Sequence, residues 1–279
     1  MDYKTHYITP DIKLSCYEGK PFKTDALFED HLLVWHLSGE ARLIQADTSY
    51  LFEAGHIFLI PRHQLATVIN CPANGQPHKA VAMHLTTERL RDFYAELEIS
   101  TAPENDTAPE NNKAPASDRR IRRFDGHPLL SSFLASLLPY FEMKDPFPEA
   151  IASLKIREAI SILRIIDPAI DGVLTQFADP GKIDLAGFME KNYMFNMPME
   201  KFGYLTGRSL STFNRDFKRL YRLTPQKWLT QRRLALAHYQ LAQLKKRPVD
   251  VYLEVGFEDL SHFSSAFRKQ YGYAPTSLK

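Results

Sequence analysis

The chain has 279 residues, 44% of them hydrophobic, with a formal net charge of +2, the composition of a globular protein with length for one large domain or two ordinary ones. No stretch approaches the eighteen or so consecutive apolar residues of a membrane span, and the charged N-terminal stretch carries no secretory apolar run. Two cysteines, Cys16 and Cys71, cannot build a disulfide framework, so the plain reading is a cytoplasmic protein.

From Tyr7 to about Tyr94, short apolar runs such as HLLVWHLSGEARLI and HKAVAMHL alternate with turn residues. Alternation and β-branched or aromatic enrichment predict the strands of a small sandwich or barrel, residues 1–98, with Gly39 and Gly55 at tight turns. Residues 99–120 hold a near-repeat, TAPEND then TAPENN. Poor in aromatic and branched aliphatic residues, this segment reads as a flexible insertion.

Residues 121–170 read as two amphipathic helices that pack on the β domain or pair between protomers. The first spaces Leu130, Phe133, Leu134, Leu137, Leu138 and Phe141 helically, with Pro139 set to kink or shorten it. The second runs from Pro148 to Ile166 on Ile151, Leu154, Ile160 and Leu163.

Residues 181–279 read as short helices only. Pro198 opens one, Ser209 caps the next after Gly207, Thr224 caps a long helix of about 20 residues starting at Pro225, Pro248 opens another and Asp259 caps the last. Two helix-turn-helix units result, 198–221 and 248–271. Their second helices, 209–221 and 259–271, repeat one text. Leu210, Phe213, Phe217 and Leu220 form the packing set of the first. Leu260, Phe263, Phe267 and, one place further on, Tyr271 form that of the second.

The opposite faces are polar. Ser211, Thr212, Asn214, Arg215, Lys218 and Arg219 line one; Ser261, His262, Ser264, Ser265, Arg268 and Lys269 line the other. Arginine forks onto guanine, asparagine pairs with adenine, and serine or histidine reads either edge, while late basic residues meet phosphates. From Gly181 onward 17 Lys and Arg face 8 Asp and Glu, a net of +9, while the remaining 180 residues hold 18 against 25, a net of −7. A basic module on an acidic body is the charge pattern of a nucleic-acid reader joined to something else.

The stretch GFEDLSHFSSAFRKQYGYAP closely resembles the C-terminal signature of the AraC/XylS family of transcription regulators, over roughly the last hundred residues. The resemblance implies an α+β multidomain chain: a cupin-like N-terminal barrel, then helices, then an all-α tandem helix-turn-helix domain. It implies sequence-specific binding of double-stranded DNA, activation through RNA polymerase, and base contacts at Ser211, Asn214, Arg215, Ser261, His262 and Ser265. Thr212, Lys218, Arg219, Arg268 and Lys269 fall where phosphate contacts belong. YLFEAGHIFLIPRHQLATVI is similar to the second cupin motif, and the helices after it then correspond to the family's dimerisation pair, which implies a homodimer. LKIREAISIL followed by IDLAGFMEKNYMFNMPMEKFGYLTGRSLSTF looks like the branch containing the type III secretion activators, where the regulator can be a protein.

Enzymatic readings find no support in the residues. Metal cupins need a His-x-His pair, which is absent, and no phosphate loop or Gly-x-Ser-x-Gly elbow occurs. No metal and no cofactor is expected. For the front domain two readings stay open. A small-molecule effector pocket would draw on Trp35, Phe58 and Arg62, although the first two also serve as plain core. The other reading is a filled barrel that only dimerises or binds a regulatory protein. A non-specific architectural DNA binder is the remaining alternative for the whole chain.

Overall fold

The computed structural model describes residues 2–19, 21–101, 120–143 and 148–278. They fall into two compact units, 1–178 and 179–279. Most of the repeat-bearing insertion, residues 102–119, lies outside the described residues.

In the first unit nine strands precede any helix: β1 (Asp2–Thr9), β2 (Ile12–Glu18), β3 (Phe22–Phe28), β4 (His31–Ser38), β5 (Glu40–Ile44), β6 (Ser49–Glu53), β7 (Ile57–Ile60), β8 (Gln64–Cys71) and β9 (His78–Leu85). A short β10 (Arg122–Arg123) joins later. They form a six-stranded sheet, β1-β2-β9-β4-β7-β10, and a four-stranded one, β3-β8-β5-β6. All pairings are antiparallel, although only β1–β2 and β5–β6 join strands consecutive in the chain. Gly39 adopts φ +75° at the β4–β5 turn, where a Cβ would come within 2.7 Å of the Cys71 carbonyl oxygen and the His78 Cα. Only glycine fits a positive φ pressed that closely on backbone.

The larger sheet is buried on both sides, and the period of two sorts its residues. In β4, Leu33, Trp35 and Leu37 join a core shared with the helices, whereas Leu32 and Val34 face the second sheet, together with Phe52, Phe58 and Ile60. Three histidines are also buried, His31, His36 and His78. Burial holds their imidazoles neutral, His31 pushed down to about 3, and His36 and His78 to about 4. The unfolded chain therefore binds more protons than the folded one between about pH 4 and 6.5, and stability falls as pH falls through that window. Urea unfolding near pH 7 and again near pH 5 should show a loss on the order of 2 kcal/mol for each ring, reduced by one such share in His36→Phe.

The strand reading ended too late. Helix α1 occupies Thr87–Thr101, taking in Tyr94 and the first residues assigned to the insertion. The Thr86 hydroxyl accepts from the Arg89 N–H at its start. Leu90, Phe93, Tyr94 and Leu97, spaced at i, i+3, i+4 and i+7, all join the helix-side core.

Helix α2 (Pro128–Ala135) stops short of Pro139, and a 3-10 turn over Leu138–Glu142 follows, so proline shortens this helix. Helix α3 (Glu149–Ile166) buries only part of the expected set, Ile160 and Leu163. Ala152, Ile156, Ala159, Ile160 and Leu163 are buried, whereas Leu154 is 63% exposed and Ile151 only half-buried. The two alanines leave room on the packed side that larger residues would fill. A one-turn α4 (Asp171–Leu174) completes this unit.

The second unit is helical throughout: α5 (Leu185–Asn192), α6 (Met199–Leu205), α7 (Leu210–Tyr221), α8 (Pro225–Ala242), α9 (Pro248–Glu254) and α10 (Leu260–Tyr271). Side chains cap four of the starts. Asp184 accepts from Ala186 and Gly187, Ser209 from Thr212, Thr224 from Lys227, and Asp259 from His262. Among the described residues no helix is long and apolar enough to cross a membrane.

Candidate nucleic-acid interface

Both helix-turn-helix units are built the same way. A positive-φ glycine sits in each turn, Gly207 at +66° and Gly256 at +88°, and each second helix drives two phenylalanines inward. Phe213 and Phe217 are fully buried, Phe217 lying edge-on to Trp228 at 5.5 Å. Phe263 and Phe267 are buried with Leu234, Ala237, Leu241, Val251 and Val255. Tyr221 and Tyr271 then play equivalent parts. Tyr221 rests on Phe217 at 4.6 Å, and Tyr271 on Phe267 at 4.7 Å. The packing set inferred from spacing was therefore too wide in the first unit: Leu220 is 51% exposed and Leu210 reaches the surface, with Tyr221 in the place given to Leu220.

Rings fixed in this way leave one face of each helix outward. Ser211, Asn214, Arg215, Lys218 and Arg219 are exposed on α7, as are Ser261, His262, Ser265, Arg268 and Lys269 on α10. Ser211, Asn214, Arg215 and Lys218 follow i, i+3, i+4, i+7 spacing and so share one stripe. Thr212 and Ser264 are half-buried, and the Thr212 hydroxyl accepts from Ser209 at 3.0 Å. The His262 ring leans on Phe257, 5.5 Å between centroids, which fixes its direction at the helix start.

Sequence reasoning passed over three features. The first is Asp216, which accepts from the Arg208 Nε at 3.2 Å and lies 3.8 Å from the Arg215 guanidinium and 3.7 Å from that of Arg219. The Arg208 hydrogen bond, helped by the neighbouring positive charges, holds this carboxyl below the usual carboxylate range. The equivalent residue in α10 is Ala266, so only the first helix has an acid steadying its arginines. The second feature is a polar groove between the start of α8 and α10, lined by Thr224, Lys227, Gln231, Lys269 and Gln270.

Arg233 is the third. Midway along α8 and 8% exposed, it donates to the carbonyls of Tyr193 (3.0 Å), Phe195 (2.8 Å) and Gly256 (2.9 Å) and to the Asn196 side-chain oxygen (3.4 Å). Tyr193, Phe195 and Asn196 belong to the loop before the first helix-turn-helix, and Gly256 is the turn of the second. One guanidinium thus joins both units to the rod between them. The rod, α8, is 18 residues long, about 27 Å at 1.5 Å per residue, slightly shorter than anticipated.

Residues 205–279 match the helix-turn-helix domain family HTH_18, and residues 31–165 match the ExsA N-terminal regulatory domain. Its matched segments are thus a helix-turn-helix domain and an ExsA-type regulatory domain. Among its relatives, the virulence regulon transcriptional activator VirF of Yersinia enterocolitica is 29% identical over 56% of this chain and 58% of its own length. The HTH-type transcriptional regulator ExsA of Pseudomonas aeruginosa is 30% identical over 46% of this chain and 47% of its own. The chain thus spans about half the length of these AraC/XylS relatives. The crystal structure of an apo form of ToxT from Vibrio cholerae, a single-residue variant, aligns over 97% of this chain and 99% of its own, at 12% identity and a TM-score of 0.42.

In the first unit the front-domain residues separate. Phe58 lines a cavity between the two sheets. Trp35 packs on the opposite, helix-facing side of its strand. Arg62 donates to the His63 ring (2.9 Å) and the Thr87 hydroxyl (2.7 Å) and does not line the cavity. The polar lining comes instead from His36, His78, Ser15 and Asn70. No group of three or more His, Cys, Asp or Glu side chains suited to a metal ion occurs among the described residues.

Proposed function

We propose that this chain is a cytoplasmic, sequence-specific DNA-binding transcription regulator, an activator and not an enzyme, whose helices α7 and α10 enter successive major grooves of double-stranded DNA. The observation carrying this reading is the pair of like-built units, each with a free polar stripe, tied to one helix by Arg233. Base contacts belong to Ser211, Asn214, Arg215, Ser261, His262 and Ser265. Phosphate contacts belong to Thr212, Lys218, Arg219, Arg268 and Lys269, with Lys227 added from the groove. Activation rests on relatives named as transcriptional activators, and RNA polymerase is the partner that role requires.

Residues 1–98 and the helices up to 170 form the regulatory part, which receives a small-molecule effector or a regulatory protein. Leu154 and Ile165, both exposed on α3, support a homodimer through that helix.

Selection of genomic fragments by the purified protein, followed by footprinting, tests the reading. Two protected major-groove segments per protomer are expected, and failure to enrich any sequence would turn the assignment toward an architectural binder. Arg215→Ala should cost about 1–3 kcal/mol on the selected site and relax one base position. Lys218→Ala should weaken all DNA about equally and lower the salt slope by about 1. Titrations of both variants at several salt concentrations on cognate and scrambled duplexes separate the two roles.

A further inference from the structure

Helix α7 carries one acidic residue, Asp216, set among Arg215, Lys218 and Arg219, whereas α10 has none. A carboxylate repels phosphate, so on a surface that only grips the DNA backbone it costs affinity. This one is nevertheless held firmly. The Asp216 side chain is 15% exposed, and its Oδ2 accepts from the Arg208 Nε at 3.2 Å. Arg208 is fixed in turn, its Nη1 donating to the carbonyls of Ile183 (3.1 Å) and Thr206 (2.6 Å). The other carboxylate oxygen, Oδ1, faces two guanidiniums at the surface. It lies 3.8 Å from the Nε of Arg215 and 3.7 Å from the Nη2 of Arg219, whose side chains are 76% and 80% exposed. With its Nε side toward the acid, Arg215 keeps its far edge, Nη1 and Nη2, for a partner outside the protein. Two parallel N–H groups on that edge are what O6 and N7 of guanine accept as a pair.

We propose that Asp216 is the positioning residue that makes the first reader selective: it orients Arg215 for a base and offsets the charge that Arg215 and Arg219 would otherwise offer to any phosphate. The inference rests on reading α7 as a major-groove helix. An exposed arginine without such a neighbour swings on a long stem and meets phosphate oxygens wherever they lie, which adds affinity without choice. The second reader has neither part of the device. Ser265 stands at the place of Arg215 and Ala266 at that of Asp216. Sequence choice therefore concentrates in α7, while α10 supplies grip through Arg268 and Lys269.

Asp216→Asn in the full chain is the test, since asparagine keeps an acceptor for Arg208 and removes only the charge. On a scrambled duplex the variant should bind more tightly than the unaltered chain, with a salt slope steeper by about 0.9, as one added phosphate contact gives. On the duplex obtained by fragment selection it should bind less tightly. The ratio of the two affinities then falls about tenfold, within what one bidentate pair supplies. In an Arg215→Ala background the same change should leave the ratio unmoved, because the acid acts through that arginine. Weaker binding to both duplexes in equal proportion, the result for a merely structural residue, would overturn the proposal, as would an unchanged ratio or an equal fall without Arg215. A second measurement needs neither DNA nor a folded variant. In the unaltered chain labelled with ¹⁵N-arginine, the Arg215 Nε–H should exchange with solvent more slowly than that of Arg268, and equal rates would also overturn the proposal. An unaltered chain that selects no sequence defeats the DNA-reading assignment and this inference with it. Selection that survives Asp216→Asn undiminished defeats this inference alone.

Discussion

Arg233→Ala is expected to destabilise the C-terminal unit by about 3–5 kcal/mol, because the carbonyls of Tyr193, Phe195 and Gly256 lose their donor inside the protein. The loss exceeds that of an ordinary surface arginine, since both desolvation and pairing have already been settled around a planar fork. Arg233→Lys should recover little, as an ammonium is a point charge that cannot reach three diverging carbonyls. Urea unfolding of the three proteins measures the order expected: wild type most stable, then Lys, then Ala. A small loss for Ala, similar to that of exposed Arg232→Ala, would remove Arg233 from this role. Operator affinity should fall further than stability alone accounts for in the Ala variant, because the two readers then move independently.

Gly207→Ala should be nearly as damaging, by more than about 3 kcal/mol. Its φ of +66° already strains a side chain by about 1–2 kcal/mol. A Cβ there would in addition lie 2.3 Å from the Gly181 carbonyl carbon and 2.5 Å from the Lys182 nitrogen, and backbone on both sides cannot give way. Gly272 supplies the control. It has φ +84° with nothing within 4 Å of a Cβ, so Gly272→Ala should show only the conformational part, about 1 kcal/mol. Unfolding midpoints of the two variants separate strain from collision; equal losses would mean that the approach of Gly181 is not a tight one.

Much of the C-terminal unit was legible because its signals are local. Ser209, Thr224 and Asp259 cap helices where the text places them, and the repeated phenylalanines mark the inner face of each second helix. Leu210 and Leu220 misled because helical spacing gives a direction without a width; the buried arc is narrow and ends at Tyr221. Arg233 was invisible for another reason. In TQRRLAL two adjacent arginines look alike, and only the fold turns Arg232 outward and Arg233 onto the carbonyls of two turns.

The β domain shows the corresponding limit of alternation. The period of two separates Trp35 from His36, but both faces of β4 are covered, one by helices and one by the second sheet. Hydrophobicity cannot say which face meets the cavity. The histidines, not the tryptophan, turned out to point there. In α1, Leu90, Phe93, Tyr94 and Leu97 carried a readable helical period that the preceding run of strands had masked.

If α7 and α10 read DNA as proposed, the rod held at its midpoint by Arg233 makes the pair a ruler. One base pair inserted between the two half-sites would carry the second about 3.4 Å along the duplex and about 34° around it. A flexible tether would follow that displacement; a helix clasped to the turns on either side of it does not. The bases lying between the half-sites are then free to vary, while their number is not. On the proposed reading, a gene would come under this protein by acquiring two short words at one set distance, and a single insertion or deletion in the spacer would remove it as completely as loss of a word.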